Sequence, residues 1–454
     1  MMKDWKKILL LAIPSIASFA SMTLTGTINL IMVGQLGALA IAIVGVSNII
    51  MYNAWAIFSG IGHTVNYLVA QNYGSNQMKK GVERTYIAFY LCIIASVFLL
   101  LVGFLFPADI FRVMGSSADM ITEGENYLQI RFFAMIFSVF VFVFHGFLRG
   151  IGDTKTPMVS AIIGNLIMIF LTYGLTYGHL GMPDLGLTGA GIAFLTGEVV
   201  TFLICAYFYF VKLHAKFGTR TIVPFNRLES KLIFKESSKL GFQEFSMSMA
   251  MFVFTAFVTR LGTHALAANE VALSVMSLGF MPAFAFGSTA TILVGQEIGR
   301  GDPTAGRKAG TNTAILGCIF LLILGVVQFF LSEPIARVYS GDPMVYELAG
   351  KLIMISAFLQ LFDGLLNFYA GGLRGIGDTS FLLKTSLVLG WVFFIPLSYI
   401  LTFTLQLSSV GAWISLYSYL ALFGITVMIR FYRTNWSTIK IKVVSDEVKH
   451  SISS

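Results

Sequence analysis

Apolar segments long enough to cross a bilayer recur along this whole chain: 8–34, 38–70, 84–106, 124–148, 157–178, 188–212, 233–260, 265–297, 310–332, 343–372, 382–404 and 409–432. A helix of roughly 20 residues, at 1.5 Å per residue, spans the ~30 Å hydrocarbon core. Lipid offers the backbone no hydrogen-bond partners, so each segment must satisfy its own N–H and C=O groups, as a helix does. The ~10-residue alternation of an outer-membrane barrel does not occur. Only 11% of the 454 residues are charged, against 56% hydrophobic, whereas about 25% charge dresses a usual soluble surface. The expectation is an all-α membrane protein of 12 transmembrane helices.

The net charge of +8 raises the question of a polyanionic partner. The positions of the charges answer it. With the N-terminus placed in the cytoplasm, 25 of the 30 Lys and Arg fall on the cytoplasmic side. The other side receives Arg112, Arg131, Arg260, Arg337 and Lys351. This is the positive-inside asymmetry. It predicts a multi-pass protein of the inner (cytoplasmic) cell membrane with both termini cytoplasmic, and it makes the basic character topological, with no nucleic-acid partner. The apolar run after Lys3-Asp4-Trp5-Lys6-Lys7 is too long for a signal peptide and reads as the first span. Cys92, Cys205 and Cys318 lie singly inside apolar spans, which suits packing better than a disulfide or zinc framework.

A repeat at one constant offset runs through the chain. Leu148-Arg149-Gly150-Ile151-Gly152-Asp153-Thr154 returns unchanged as Leu373-Arg374-Gly375-Ile376-Gly377-Asp378-Thr379. At the same offset Leu36-Gly37 returns as Leu261-Gly262, Val69, Gln71 and Gly74 as Val294, Gln296 and Gly299, and Arg112-Val113 as Arg337-Val338. Two six-span units follow, residues 1–212 and 233–433, with a cytoplasmic linker at 213–232 and a polar cytoplasmic tail at 434–454. An even number of spans makes the second unit parallel to the first, which predicts a pseudo-two-fold axis along the membrane normal and a central cleft. The sequon Asn435-Trp436-Ser437 falls on the cytoplasmic side and is discounted. Two bundles about a cleft suit alternating access better than a channel or a structural role.

No P-loop, H-E-x-x-H or G-x-S-x-G motif occurs, and the six histidines are scattered. The expectation is a non-enzyme without cofactor, driven by an ion gradient or by its substrate's own gradient.

Acidic residues at membrane depth cost roughly 2.5–3.5 kcal/mol or more and mark ion and substrate paths. The spans hold Glu198, Glu244, Glu270 and Asp363. Asp363 stands out: Gln360, Asp363 and Asn367 share one helical face, with no Lys or Arg in that span beside them. Such a carboxyl could exchange a proton, hold Na⁺ with the neighbouring amide oxygens, or serve as a structural donor. Glu244, followed on its face by Ser248, Met251 and Thr255, is a second candidate, with pairing to Lys239 as the structural alternative. Glu270 reads as an ion-coupling or helix-terminal residue, and Glu198, after Gly197, as a cleft or packing residue. In the first two spans Thr25, Asn29 and Asn53 are polar candidates for a substrate cleft, with His63 read as a satisfied interior group. The abundant aromatic and Met side chains could face organic cations.

These stretches together resemble the multidrug and toxic compound extrusion (MATE) family, and within it the DinF-like bacterial branch. The resemblance covers nearly the whole chain. It rests on Ala12-Ile13-Pro14, Ile31-Met32-Val33-Gly34-Gln35-Leu36-Gly37, Ala267-Ala268-Asn269-Glu270-Val271-Ala272-Leu273, Val294-Gly295-Gln296-Glu297-Ile298-Gly299 and the paired LRGIGDT segments. It implies two six-helix bundles about a V-shaped cleft, and export of amphiphilic, often cationic, drug-like compounds in exchange for Na⁺ or H⁺. Asp363 falls where sodium-coupled members carry an acidic ion-site residue. Pro14 falls on a proline that can bend span one, and Asp184 matches an acidic residue that matters in some members. One departure is Asn29, where many members have Asp. Asn cannot exchange a proton, so the coupling ion is expected in the C-terminal half, at Asp363 with Glu244, Asn367 and Glu270. A monomer is expected. The alternative is a flippase for a lipid-linked saccharide, which would need a basic cleft lining; a membrane-embedded enzyme lacks clustered catalytic residues.

Overall fold

The computed structural model describes residues 2–339 and 342–442. Among them, 12 helices are long and apolar enough to cross a membrane. We number them α1 (Met2–Gly34), α2 (Ala38–Gly74), α3 (Met78–Leu105), α4 (Ala118–Gly150), α5 (Lys155–Tyr177) and α6 (Gly186–Lys212). The second set is α7 (Arg227–Thr259), α8 (Thr263–Gly299), α9 (Pro303–Phe330), α10 (Pro343–Gly375), α11 (Thr379–Thr404) and α12 (Ser408–Arg433). Side chains such as Phe104, Phe170, Ile323 and Phe330 are exposed on the outside of the helices. An aqueous protein would bury such a shell, whereas lipid solvates it.

The sequence repeat is a structural repeat. The offset that carries Arg149 onto Arg374 also carries the first and last residues of α1 to α4 onto those of α7 to α10, without a slip. Short helices after α3 and α9, Pro107–Val113 and Ser332–Tyr339, repeat as well. The turns between them use the same device: Gly37 (φ +116°) and Gly262 (φ +107°) occupy backbone conformations open mainly to glycine. Helix crossings repeat too. A Cβ on Gly146 would stand 2.4 Å from the Gly62 carbonyl oxygen, and one on Gly371 2.1 Å from that of Gly287. Glycine at these points lets α4 lie directly on α2, and α10 on α8.

The chain forms two compact units: one comprises residues up to Ile16, 74–76 and 242–442, the other 17–73 and 77–241. We call them the C-unit and the N-unit. The division runs inside helices and not at the expected linker 213–232. It cuts α1 after Ile16 and α7 after Gly241, at the same register of the repeat. The start of α1 therefore belongs to the C-unit, where Ile8, Leu11 and Ala12 share a core with Ala250 and Phe254. The start of α7 belongs to the N-unit, where Ile233 and Leu240 join Val65 and Tyr67. Helix α1 continues through Pro14, two residues before the division.

The linker is also shorter than expected. Asn226 Oδ1 accepts from the N–H groups of Leu228 and Glu229, so α7 starts at Arg227, inside 213–232. Glu229 is then not a solvated linker charge. It is 1% exposed and pairs with the equally buried Arg84 at 3.0 Å and with Lys80 at 2.9 Å. Tyr67 donates to Glu236, which pairs with Lys239 at 2.8 Å. These buried bonds tie the first turns of α7 to α2 and α3. At the other end, the expected loose tail begins in order: Trp436 is buried and its indole N–H donates to the Phe431 carbonyl. The rest of the tail, from 443, lies outside the described residues.

Candidate ion and substrate site

The C-unit carries its buried carboxyl on α10. Asp363 is 7% exposed. The side-chain amide of Asn367, one turn on, donates to Asp363 Oδ1 at 3.2 Å and to the Asp363 carbonyl at 2.9 Å. No cation pairs with Asp363 among the described residues; the arginine of its own helix, Arg374, is committed to Glu244 at 2.8 Å. From α12 the Tyr419 hydroxyl comes within electrostatic reach of both Asp363 and Glu244. That hydroxyl is buried and has no hydrogen-bond partner among the described residues. Stacking of its ring on Phe394, 4.7 Å between centroids, holds it in place. A buried carboxyl of α10 and a buried, unpartnered hydroxyl of α12 thus lie in one region of the C-unit, with Glu244 of α7 within electrostatic range of the hydroxyl. Unsatisfied buried polar groups are costly, and their clustering marks a place where a small cation or proton can be taken up.

Gln360 does not join this group. Its amide donates to Gln328 of α9 at 2.7 Å and to the Ala357 carbonyl, so it serves packing between α9 and α10 in spite of sharing a helical face with Asp363. Asn367 presents its NH₂ to Asp363 and the Gln360 NH₂ is held by Gln328, so neither amide is seen offering its oxygen to Asp363. Among the described residues no group of three or more His, Cys, Asp or Glu could hold a metal ion. The pairing of Glu244 with Lys239 is replaced by the ion pair with Arg374, since Lys239 is taken by Glu236.

The remaining candidates scatter. Glu270 is exposed on α8, with a contact at 3.5 Å from the amide of Asn269, whose oxygen in turn accepts from Trp413. Met251 is half-buried against the C-unit core. In the N-unit Thr25 is buried on α1, and Asn29 donates to the Met168 sulfur at 3.0 Å. Asn53 turns its amide back to the Ile49 carbonyl. Asp184 lies exposed between α5 and α6 and accepts from the Gly186 N–H, which makes it a local loop residue. Glu198, on α6, lies near Ser138 on α4 and feels the charge of Arg131.

Three features escaped the sequence. Arg131, sorted by charge to the outer surface, is 8% exposed inside α4. Tyr419 was one of many aromatic residues. The third is the pair of arginines in the repeated LRGIGDT segments. Arg374 pairs with Glu244, and the repeat places Phe19 at the register of Glu244. There Arg149, 4% exposed, lies over the Phe19 ring at 4.8 Å. Reading the repeat position by position would have exposed this exchange of carboxylate for ring.

Comparison with known proteins agrees with this architecture. The sequence profile of the MatE family matches residues 14–174 and again 240–400, once in each half. A probable multidrug resistance protein NorM of Thermotoga maritima is 26% identical over 413 residues, covering 90% of this chain and 88% of that protein. A probable NorM of Brucella suis is 30% identical over 436 residues, covering 90% and 88%. Among solved structures, a MOP superfamily transporter from Pyrococcus furiosus superposes with a TM-score of 0.86 at 21% identity, covering 94% of this chain and 95% of that one. An outward-facing multidrug resistance MATE transporter of the same superfamily gives 0.84 at 22%, covering 94% and 96%. Twelve apolar helices, a six-helix repeat and a profile that matches both halves make this chain a multi-pass membrane transporter of the MatE, or multidrug and toxic compound extrusion, family.

Proposed function

We propose that this protein is a secondary active antiporter that exports amphiphilic, cationic organic compounds in exchange for Na⁺ or H⁺, with Asp363 as the coupling residue. The observation that carries the reading is the C-unit cluster: a buried carboxyl with no cationic partner among the described residues, beside the unpartnered Tyr419 hydroxyl. A carboxylate in that setting is stabilised by a bound cation or by a proton, and either exchange can be linked to substrate release. The Glu244–Arg374 pair, further along the same helix, is a second charged group of the C-unit whose pairing can respond when Asp363 is neutralised. The names of the relatives, multidrug resistance proteins, support drug-like substrates. On this reading the protein is a transporter and not an enzyme, works as a monomer and keeps both termini in the cytoplasm.

A flippase of lipid-linked saccharides would need cationic side chains for pyrophosphate. Buried Arg131 and Arg149 are the observation in its favour. Both are engaged already, Arg131 with Asn48 and Tyr127, Arg149 with Phe19.

The test is efflux of a fluorescent organic cation from proteoliposomes, with a Na⁺ and a proton gradient imposed separately. One gradient should drive efflux, and Asp363→Asn should insert and fold yet lose it. Gradient-driven efflux retained in that variant would remove Asp363 from the mechanism, and no efflux under either gradient would turn the test to lipid-linked substrates.

A further inference from the structure

The N-unit carries two charges at membrane depth that the antiport reading does not use, Arg131 on α4 and Glu198 on α6. Intramembrane charges are retained only where they pair or act. These two are neighbours without being an ion pair. Arg131 Nη1 donates to Asn48 Oδ1 at 3.0 Å and to the Tyr127 hydroxyl at 2.8 Å. Its guanidinium lies 3.9 Å over the Phe194 ring of α6, one turn before Glu198. Its Nε is buried and has no partner among the described residues. Glu198, one turn on from Phe194, lies near Ser138 and feels the charge of Arg131.

The repeat gives this cluster its meaning. Ser138 stands at the register of Asp363 in the fourth helix, while the sixth helices, which begin at Gly186 and Ser408, do not keep that offset. In each unit one carboxyl is thus placed where the fourth and sixth helices meet. The C-unit supplies it from the fourth helix and the N-unit from the sixth. Asn29 of α1, in this half, donates to the Met168 sulfur and, as an amide, cannot titrate.

We propose that Glu198 is a proton-exchanging site of the N-unit, with Arg131 as the positioning residue that faces it in one protonation state and turns to Asn48 and Tyr127 in the other. The step is proton binding alone. Hydronium gives its proton to a Glu198 carboxylate oxygen and leaves as water, and the negative partner of Arg131 is removed. The unpartnered Nε is the donor left over once the other contacts are made. The ionisable groups facing this site are few. Helix α4 brings Arg131 and Tyr127, and α6 itself brings Cys205, on which Arg149 and Asp153 also act. Helix α5 approaches Gly197, beside Glu198, with the Gly164 carbonyl and Met168.

The inference goes beyond the role given to Asp363 and is read without transport. Infrared titration of the purified protein in nanodiscs follows the protonated-carboxyl stretch against pH. We expect Glu198→Gln to delete a titrating component that Asp363→Asn retains. Ser138→Ala and Arg131→Gln should each move the midpoint of that component by about half a pH unit or more, and leave the Asp363 component in place. Ser138→Ala keeps the charges, so it carries the test if Glu198→Gln fails to fold. A Glu198→Gln spectrum indistinguishable from wild type overturns the proposal, as do Ser138→Ala and Arg131→Gln profiles that superimpose on it. Loss or retention of efflux in Asp363→Asn bears on the coupling role of Asp363 and leaves this band assignment untouched.

Discussion

Glu244 can be replaced in two ways that the repeat distinguishes. In Glu244→Gln the guanidinium of Arg374 loses its charged partner, 2.8 Å away, while its Nε already lacks an acceptor. The side chains of the pair are 9% and 17% exposed. Removing one member of a fully buried pair costs roughly 3–5 kcal/mol; with Glu244 partly exposed, about 2–3 kcal/mol is expected. In Glu244→Phe the charge is lost as well, but the geometry of Arg149 over Phe19 becomes available to Arg374. A desolvated cation–π contact is worth up to about 2 kcal/mol. Glu244→Phe should therefore unfold between wild type and Glu244→Gln, about 1–2 kcal/mol above the latter. The assay is unfolding of the three proteins in mixed micelles, followed by tryptophan fluorescence. If Glu244→Phe is no more stable than Glu244→Gln, the equivalence of the two arginine sites is refuted.

Other outcomes follow from the crossings and the buried charges. Gly371→Ala and Gly146→Ala place a Cβ 2.1 Å and 2.4 Å from backbone oxygens and should each cost about 1–3 kcal/mol, whereas Gly26→Ala, with nothing within 4 Å, should cost none; thermal midpoints in detergent decide. Glu229→Gln should destabilise by about 3–5 kcal/mol, since it removes the carboxylate 3.0 Å from Arg84, a guanidinium at 1% exposure. The double variant Arg84→Met/Glu229→Leu should regain most of that loss, with Lys80 still able to pair with Glu83, and equal instability of the double variant would show that the pair does more than balance charge. The efflux test of Asp363→Asn and the infrared test of Glu198→Gln address function directly.

The composition and the long apolar runs were enough to set the number of spans, because a bilayer imposes one length and one backbone solution on each crossing. The constant offset between the halves likewise set the repeat, and eight helices end in register with it, although their ends lie several residues from the apolar runs, because turn glycines such as Gly37 and Gly262 are local devices that hydropathy does not register. Asp363 and Asn367 were legible as partners because they sit one turn apart on one helix. Tertiary packing decided what one-helix reasoning cannot reach. Gln360 shares the Asp363 face yet bonds to Gln328, 32 residues away on α9. Arg131 counts as an outer charge by sequence and lies buried against Phe194. Glu229 reads as linker and is buried against Arg84, 145 residues away. In each case the partner comes from another helix, and periodicity along one helix says which way a side chain points but not what stands opposite it.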